Sequence, residues 1–330
     1  PELCNVDLDD DCDGQTDEIA ACDACQAPQV RTIGQTGHNA AGAHIIASAG
    51  GHIYIAYSNG YNLMLAEVAD GTVGTKTNVG TVWNPNNGAR PPQLRAAGDT
   101  LQMAWRGGQL SYDIMRLSAD LEVLNAYDWF PYSYLDPYTP AISAGTKKMG
   151  VFYRDEEYNS GTRQYSGVSN VATYDWATGS FSKTKVTWYS AGCSSCAHEM
   201  LAMPSGEVWM LYTYSSDIEA RSSKDGFQTA QTLSEYDADT FSARVGPDGK
   251  GHVVASFYGG YGMGYNMAYA TLTSGGTWSA FEPLASGDEG MLAFAPDGSP
   301  VVASQDSDGL AIWQRVDGTW VRAASMTGDE

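Results

Sequence analysis

Asp297–Val321 reads DGSPVVASQDSDGLAIWQRVDGTWV. It runs as turn, short apolar strand, turn, alternating strand, Asp-Gly turn and the start of another strand. Asp-Gly between apolar runs marks a hairpin, because Gly takes the positive φ that a type I′ turn needs. With Met291–Ala295 (MLAFA) in front, the stretch makes one unit of four antiparallel strands.

The rest of the chain repeats that unit. AHIIASAG from Ala43 turns into HIYIAY at His52, and QLRAAGD from Gln93 turns into LQMAWR at Leu101. TPAISAGTKK from Thr139 leads into MGVFYR, and AHEMLAMPSG from Ala197 into EVWMLYT. FSARVGPDGKG from Phe241 leads into HVVASFY, and MLAFAPDGS from Met291 into PVVASQD. A four-strand unit recurring at roughly 44 to 58 residues is the signature of radial repetition. No long window carries a competing helical period. The expected fold is all-β, a six-bladed β-propeller over 29–330, preceded by a different segment over 1–28. A β-sandwich is the other fold such strands allow, but sandwiches rarely keep one turn grammar through six copies. A strand at Gln29–Gly34 and the outer strand beginning at Trp320 both compete to close the ring.

The 330 residues suffice for a large core in one domain. Lys and Arg total 18 against 39 Asp and Glu, a net charge of −21. That balance argues against nucleic acid, whose phosphates need basic partners, and against an anionic membrane surface. It suits a cation, a cationic partner or solubility outside a cell. No apolar run is long enough to span a bilayer, so no membrane insertion is expected. The chain lacks an initiator Met and a signal peptide, and Pro1 reads as the start of a processed or trimmed chain.

The six cysteines are Cys4, Cys12, Cys22, Cys25, Cys193 and Cys196. An even count in an acidic, Gly-rich β protein favours disulfides and an oxidising compartment, hence secretion or surface display. Three arrangements are open: local pairs, a cross-link between the two CxxC pairs, or zinc held by both CxxC pairs with His198. Haem attachment is excluded, since Gln26 and Ala197 follow the CxxC pairs where His is required.

CNVDLDDDCDGQTDE, from Cys4 to Glu18, places carboxylates at Asp9, Asp11 and Asp13, then Gly14, then Asp17 and Glu18. Oxygen ligands at alternate positions before a Gly suit a hard cation, and the Gly allows the sharp turn. Asp9, Asp11 and Asp13, the Gln15 carbonyl and Asp17 would ligate calcium. Ala20 stands where an EF-hand has its bidentate Glu, a role open to Glu18 or Asn5. The bland alternative is a solvated acidic tail, in which so many adjacent carboxylates would repel one another.

Over residues 2–18 these motifs resemble the MopE-type metal-binding motif, CN…DDDCDGxxDE, found in secreted and surface proteins of myxobacteria and other bacteria. The spacing between the two cysteines is one residue longer than in its commonest form. The resemblance implies secretion, a Cys4–Cys12 disulfide and bound metal, and nothing about the propeller's activity. Dockerin and thrombospondin type 3 repeats carry a similar arrangement of aspartates, which points to calcium.

In a propeller, loops between blades share a face with the loops joining second and third strands. Here that face is expected to carry the long, aromatic-rich loops: WNPNNGARPP from Trp83, WFPYSYLDPY from Trp129, RDEEYNSGTRQY from Arg154, GCSSC from Gly192, YGGYGMGY from Tyr258 and QDSDG from Gln305. The opposite face is expected to have mostly tight turns. Long loops on a rigid scaffold carry function. Trp129, Tyr132, Tyr134, Tyr158, Tyr165, Tyr258 and Tyr261 would stack on sugar rings or meet a protein partner. Packing between blades is the competing role for each.

Six blades also raise a sialidase-like glycosidase, which needs three arginines, a tyrosine nucleophile with its Glu, and an acid/base Asp. Arg90, Arg95, Arg106, Arg154, Arg163 and Arg244 are present, but the Asp box of that family survives only in broken form at Ser222–Phe227 (SSKDGF). No nucleophile elbow, HExxH or phosphate loop occurs. His52 and His252 sit at equivalent strand starts, a structural pattern. The motifs favour a binding or structural module, with an extracellular glycan, a protein or a copy of itself as ligand, over an enzyme.

Overall fold

The computed structural model describes residues 45–326 apart from 50–51, 70–71, 83–91, 109–110, 130–140, 146, 160, 162, 187–197, 215–216, 235–237, 259–264, 296 and 307–308. All of them belong to the second of two units, Pro1–Gly34 and Gln35–Glu330. That unit is a six-bladed β-propeller.

The first sheet is β1 (Ile45–Ala49), β2 (His52–Asn59), β3 (Asn62–Ala69) and β4 (Thr72–Thr81). The second is β5 (Gln93–Ala97), β6 (Thr100–Arg106), β7 (Tyr112–Ser118) and β8 (Val123–Trp129). The third is β9 (Ala141–Ala144), β10 (Lys148–Asn159), β11 (Gln164–Asp175) and β12 (Ser180–Val186). β13 (His198–Ala202), β14 (Val208–Tyr214), β15 (Asp217–Ser222) and β16 (Ala230–Ser234) form the fourth. β17 (Ala238–Val245), β18 (Gly251–Tyr258), β19 (Tyr265–Thr271) and β20 (Glu282–Ser286) form the fifth. β21 (Asp288–Phe294), β22 (Pro300–Asp306), β23 (Gly309–Val316) and β24 (Thr319–Met326) form the last. Each sheet pairs four consecutive antiparallel strands in chain order. β24 therefore completes the last blade without an exchanged strand; Gln29–Gly34 lies outside the described residues.

The turn grammar is physical. Asp317 and Gly318 take φ 49° and 81° between the partners Val316 and Thr319, as a type I′ hairpin demands. A second turn recurs between first and second strands of three blades. Gly206, Gly249 and Gly298 hold φ of 87°, 76° and 89°, each closing on a backbone acceptor three residues earlier. Only Gly adopts that conformation without strain.

Each blade must bury both faces, so central strands read as apolar runs rather than strict alternation. In β18 the residues Gly251–Ser256 are all buried. Tyr54 and Leu65 pack with Leu101 and Met103 between the first two blades. Ile114 packs with Val151 and Tyr174, Phe152 with Met210, and Leu211 with Val253 at the next three junctions. Val254 and Tyr269 meet Leu292 and Val302 at the fifth. On the last sheet, Leu292 is 4% exposed while its neighbour Met291 is 55% exposed. The strand's two faces therefore have opposite fates.

One expected loop is a pair of strands. Arg154–Tyr165 continues the β10–β11 ladder, which runs from the partners Lys148 and Asp175 to Asn159 and Gln164. β9 stops pairing at Phe152 and β12 at Ser169, so the hairpin ladder outruns both flanking strands. At about 3.3 Å per residue the extension is on the order of 20 Å. Its charged run, Arg154–Glu157, lacks the apolar alternation by which strands are recognised, and cross-strand pairing supplies the order instead.

Candidate functional site

The topology puts the strand ends that flank 82–92, 130–140 and 187–197 on one face, together with the tip-side ends of the β10–β11 and β18–β19 ladders. Trp129 closes β8 as the partner of Tyr112 on β7. Two hairpin ladders on this face carry tyrosine pairs near their tips: Tyr158 opposite Tyr165, one pair before the last, and Tyr258 opposite Tyr265, the last pair. Tyr258 is 48% exposed. Tyr265 was not singled out from sequence, although the even length of the segment from Tyr258 was a usable signal for pairing. Tyr132, Tyr134 and Tyr261 lie outside the described residues, as do Asp9, Asp11, Asp13, Gln15, Asp17, Glu18 and all six cysteines, Cys4, Cys12, Cys22, Cys25, Cys193 and Cys196.

The opposite face is less uniformly tight than expected. The broken Asp box forms a short 3-10 turn between β15 and β16, with Phe227 buried beneath it. Asp225 accepts backbone hydrogen bonds from Gln228 (3.1 Å) and Thr229 (2.9 Å), a role in holding the turn.

The first strands surround the central channel. Among the described arginine side chains, the structure brings together Arg95 on β5 and Arg244 on β17; Arg90 lies outside the described residues. Arg95 and Arg244 both meet Glu199 on β13, an acid that no sequence motif marks. Arg95 Nη2 donates to Glu199 Oε2, and Arg244 Nη1 lies 3.4 Å from Oε1. The three side chains are 10%, 23% and 17% exposed for Arg95, Arg244 and Glu199. Burial works to raise the Glu199 pKa, but Arg95 and Arg244 more than offset it and hold the carboxyl below its usual range. Burial, and then repulsion from Arg95, lowers Arg244 to about 10. Two arginines from different blades thus hold one internal carboxylate.

Two further polar groupings stand apart from the channel. His252 is buried between the fifth and sixth blades. Its Nε2 is 2.9 Å from Asp248 and its Nδ1 hydrogen-bonds the Tyr269 hydroxyl. Burial lowers the His252 pKa and pushes Tyr269 up to about 12, so both are neutral at pH 7. That is a structural network, as the placement of His252 at a strand start suggested. His52 pairs instead with Glu67 at the surface. On β7 and β8, Asp113 and Asp128 are cross-strand partners. Burial, reinforced by the charge and hydrogen bond of Asp128, raises Asp113 to about 6. Gly107 leaves space for that carboxylate, since a Cβ there would collide with the Asp113 oxygens. Among the described residues, no group of three or more His, Cys, Asp or Glu is placed to hold a metal ion. No described helix is long and apolar enough to cross a membrane.

No family model matches the chain, and no curated protein matches it. Solved structures do. The β-propeller domain of the Trilobed protease from Pyrococcus furiosus, described as having an open velcro topology, is 12% identical. The match covers 85% of this chain and 81% of that one, at TM-score 0.52. The Dos1 propeller is 13% identical over 83% and 68% of the two chains, at TM-score 0.48. TolB from Acinetobacter baumannii is 13% identical over 78% and 58%, at TM-score 0.45. At such identities the likeness is one of fold.

Proposed function

We propose that the chain acts by binding: a secreted or surface-displayed propeller whose loop face takes an extracellular glycan, with a protein or a second copy as the other ligands this face suits. The observation that carries this reading is the pair of tyrosine couples, Tyr158 with Tyr165 and Tyr258 with Tyr265, near the tips of two hairpin ladders on one face. Tyrosine presents a rigid apolar ring with a polar tip, which suits both sugar stacking and protein anchoring. The 1–28 segment would add a calcium ion on Asp9, Asp11, Asp13, the Gln15 carbonyl, Asp17 and Glu18, framed by disulfides. Its support is the alternating oxygen pattern before Gly14 and the MopE-type resemblance.

A glycan array probed with the full chain tests the reading. Binding should be lost in the Tyr165→Ala, Tyr258→Ala double variant while thermal stability stays within a few degrees. Turnover of a fluorogenic glycoside, abolished by removing a single carboxylate, would replace binding with catalysis. Binding unaffected by the double variant would move the site off this face.

A further inference from the structure

The Arg95–Glu199–Arg244 cluster has unused binding capacity. A guanidinium carries five N–H donors and no acceptor. Arg95 Nη1 donates to the Leu94 carbonyl at 3.0 Å and its Nη2 to Glu199. Arg244 Nη1 donates to the Ala243 carbonyl at 2.6 Å and faces Glu199 at 3.4 Å. The other edge of Arg244, Nε and Nη2, has no acceptor among the described residues, and neither atom is sealed from solvent. The charges do not balance either: two guanidiniums against one carboxylate leave +1, in a chain of net −21.

We propose that the propeller channel binds a carboxylate ligand on the Nε/Nη2 edge of Arg244, with Glu199 and the Ala243 carbonyl fixing the guanidinium in place. The planar edge matches a carboxylate in a two-pronged geometry, which a point charge such as Lys cannot reproduce. One monoanion neutralises the cluster. A phosphate dianion would carry it to net −1 inside an already acidic protein, so carboxylate is the preferred class. Burial and then the neighbouring charge of Arg95 lower the Arg244 pKa. Free organic acids and acidic sugars share this group, and the test separates them. The site does not depend on the tyrosine-bearing loop face, so either proposal can fail alone.

The experiment is isothermal titration of the full chain with sodium acetate and with sodium glucuronate, against chloride and phosphate at matched ionic strength. Saturable binding of either carboxylate, weaker for chloride and phosphate, is expected. Glucuronate binding tighter than acetate would identify a sugar acid as the source; equal binding would identify a free carboxylate. Arg244→Gln and Arg244→Lys should each weaken binding by about tenfold or more, the Lys variant because the fork is lost. Should both fail to fold, Glu199→Gln decides. It frees Arg95 as well, so acetate should bind about tenfold more tightly and raise the melting temperature more than in the native chain. No saturable carboxylate binding above chloride, unchanged binding in the Arg244 variants, or no gain in Glu199→Gln would overturn the proposal.

Discussion

Asp113→Asn should stabilise the protein, and increasingly so as pH rises. Asp113 shares the β7–β8 ladder with Asp128 and is raised from 3.8 to about 6. A carboxyl whose folded pKa lies above its unfolded value contributes stability below the unfolded pKa and loses it as pH rises through the folded one. A rise from 3.8 to about 6 corresponds to about 3 kcal/mol at neutral pH. Partial solvent access at this surface-facing pair halves that to about 1.5 kcal/mol. Asn keeps the shape and donates a hydrogen bond to Asp128 without a charge to bury. Equilibrium urea unfolding at about pH 5 and about pH 7.5, compared by midpoint at unchanged slope, reads the effect. The gain at the lower pH should be about half that at the higher, because Asp113 is then largely protonated in the folded state. Asp128→Asn should recover less, since burial outranks Asp128 as the cause of the shift. A destabilised Asp113→Asn, or a gain that ignores pH, would refute the reasoning.

Neighbours on β21 should respond oppositely to truncation. Leu292→Ala opens the junction with Val254 and Val302 and should cost about 2–4 kcal/mol, whereas Met291→Ala should cost less than about 1 kcal/mol. Thermal melts of the two variants measure both. Calcium titration of the full chain should give saturable binding that Asp9→Asn, Asp13→Asn together abolish; absence of binding in the native chain would remove the metal proposal. Light scattering with calcium and with a chelator then tests self-association, expected only with calcium because −21 charges otherwise keep copies apart.

The blades were legible because their signals are local. Asp317-Gly318 and the glycines at 206, 249 and 298 announce turns from two or three residues, and first strands begin within three residues of the expected positions, 238 and 288 included. The β10–β11 extension was not legible, because Arg154-Asp-Glu-Glu satisfies no strand pattern until its partner from Gln164 onward is known. Glu199 was hidden for a stronger reason. It is a single acid in AHEMLA, and its partner Arg95 lies 104 residues away. Likewise Asp113 and Asp128 look like two of many carboxylates until the register opposes them.

These differences follow from how a propeller divides its labour. Stability comes from hairpins and adjacent blades, which are close in sequence. The channel cluster draws on the first strands of three blades. Arg95 lies opposite Gln102 on its hairpin, Glu199 opposite Leu211 and Arg244 opposite His252. Arg95 and Glu199, from the second and fourth blades, meet directly. Channel chemistry can therefore change one blade at a time without touching the hydrophobic junctions. A variant set confined to these positions should alter ligand preference while the melting temperature follows only the charge balance of the Arg95–Glu199–Arg244 cluster.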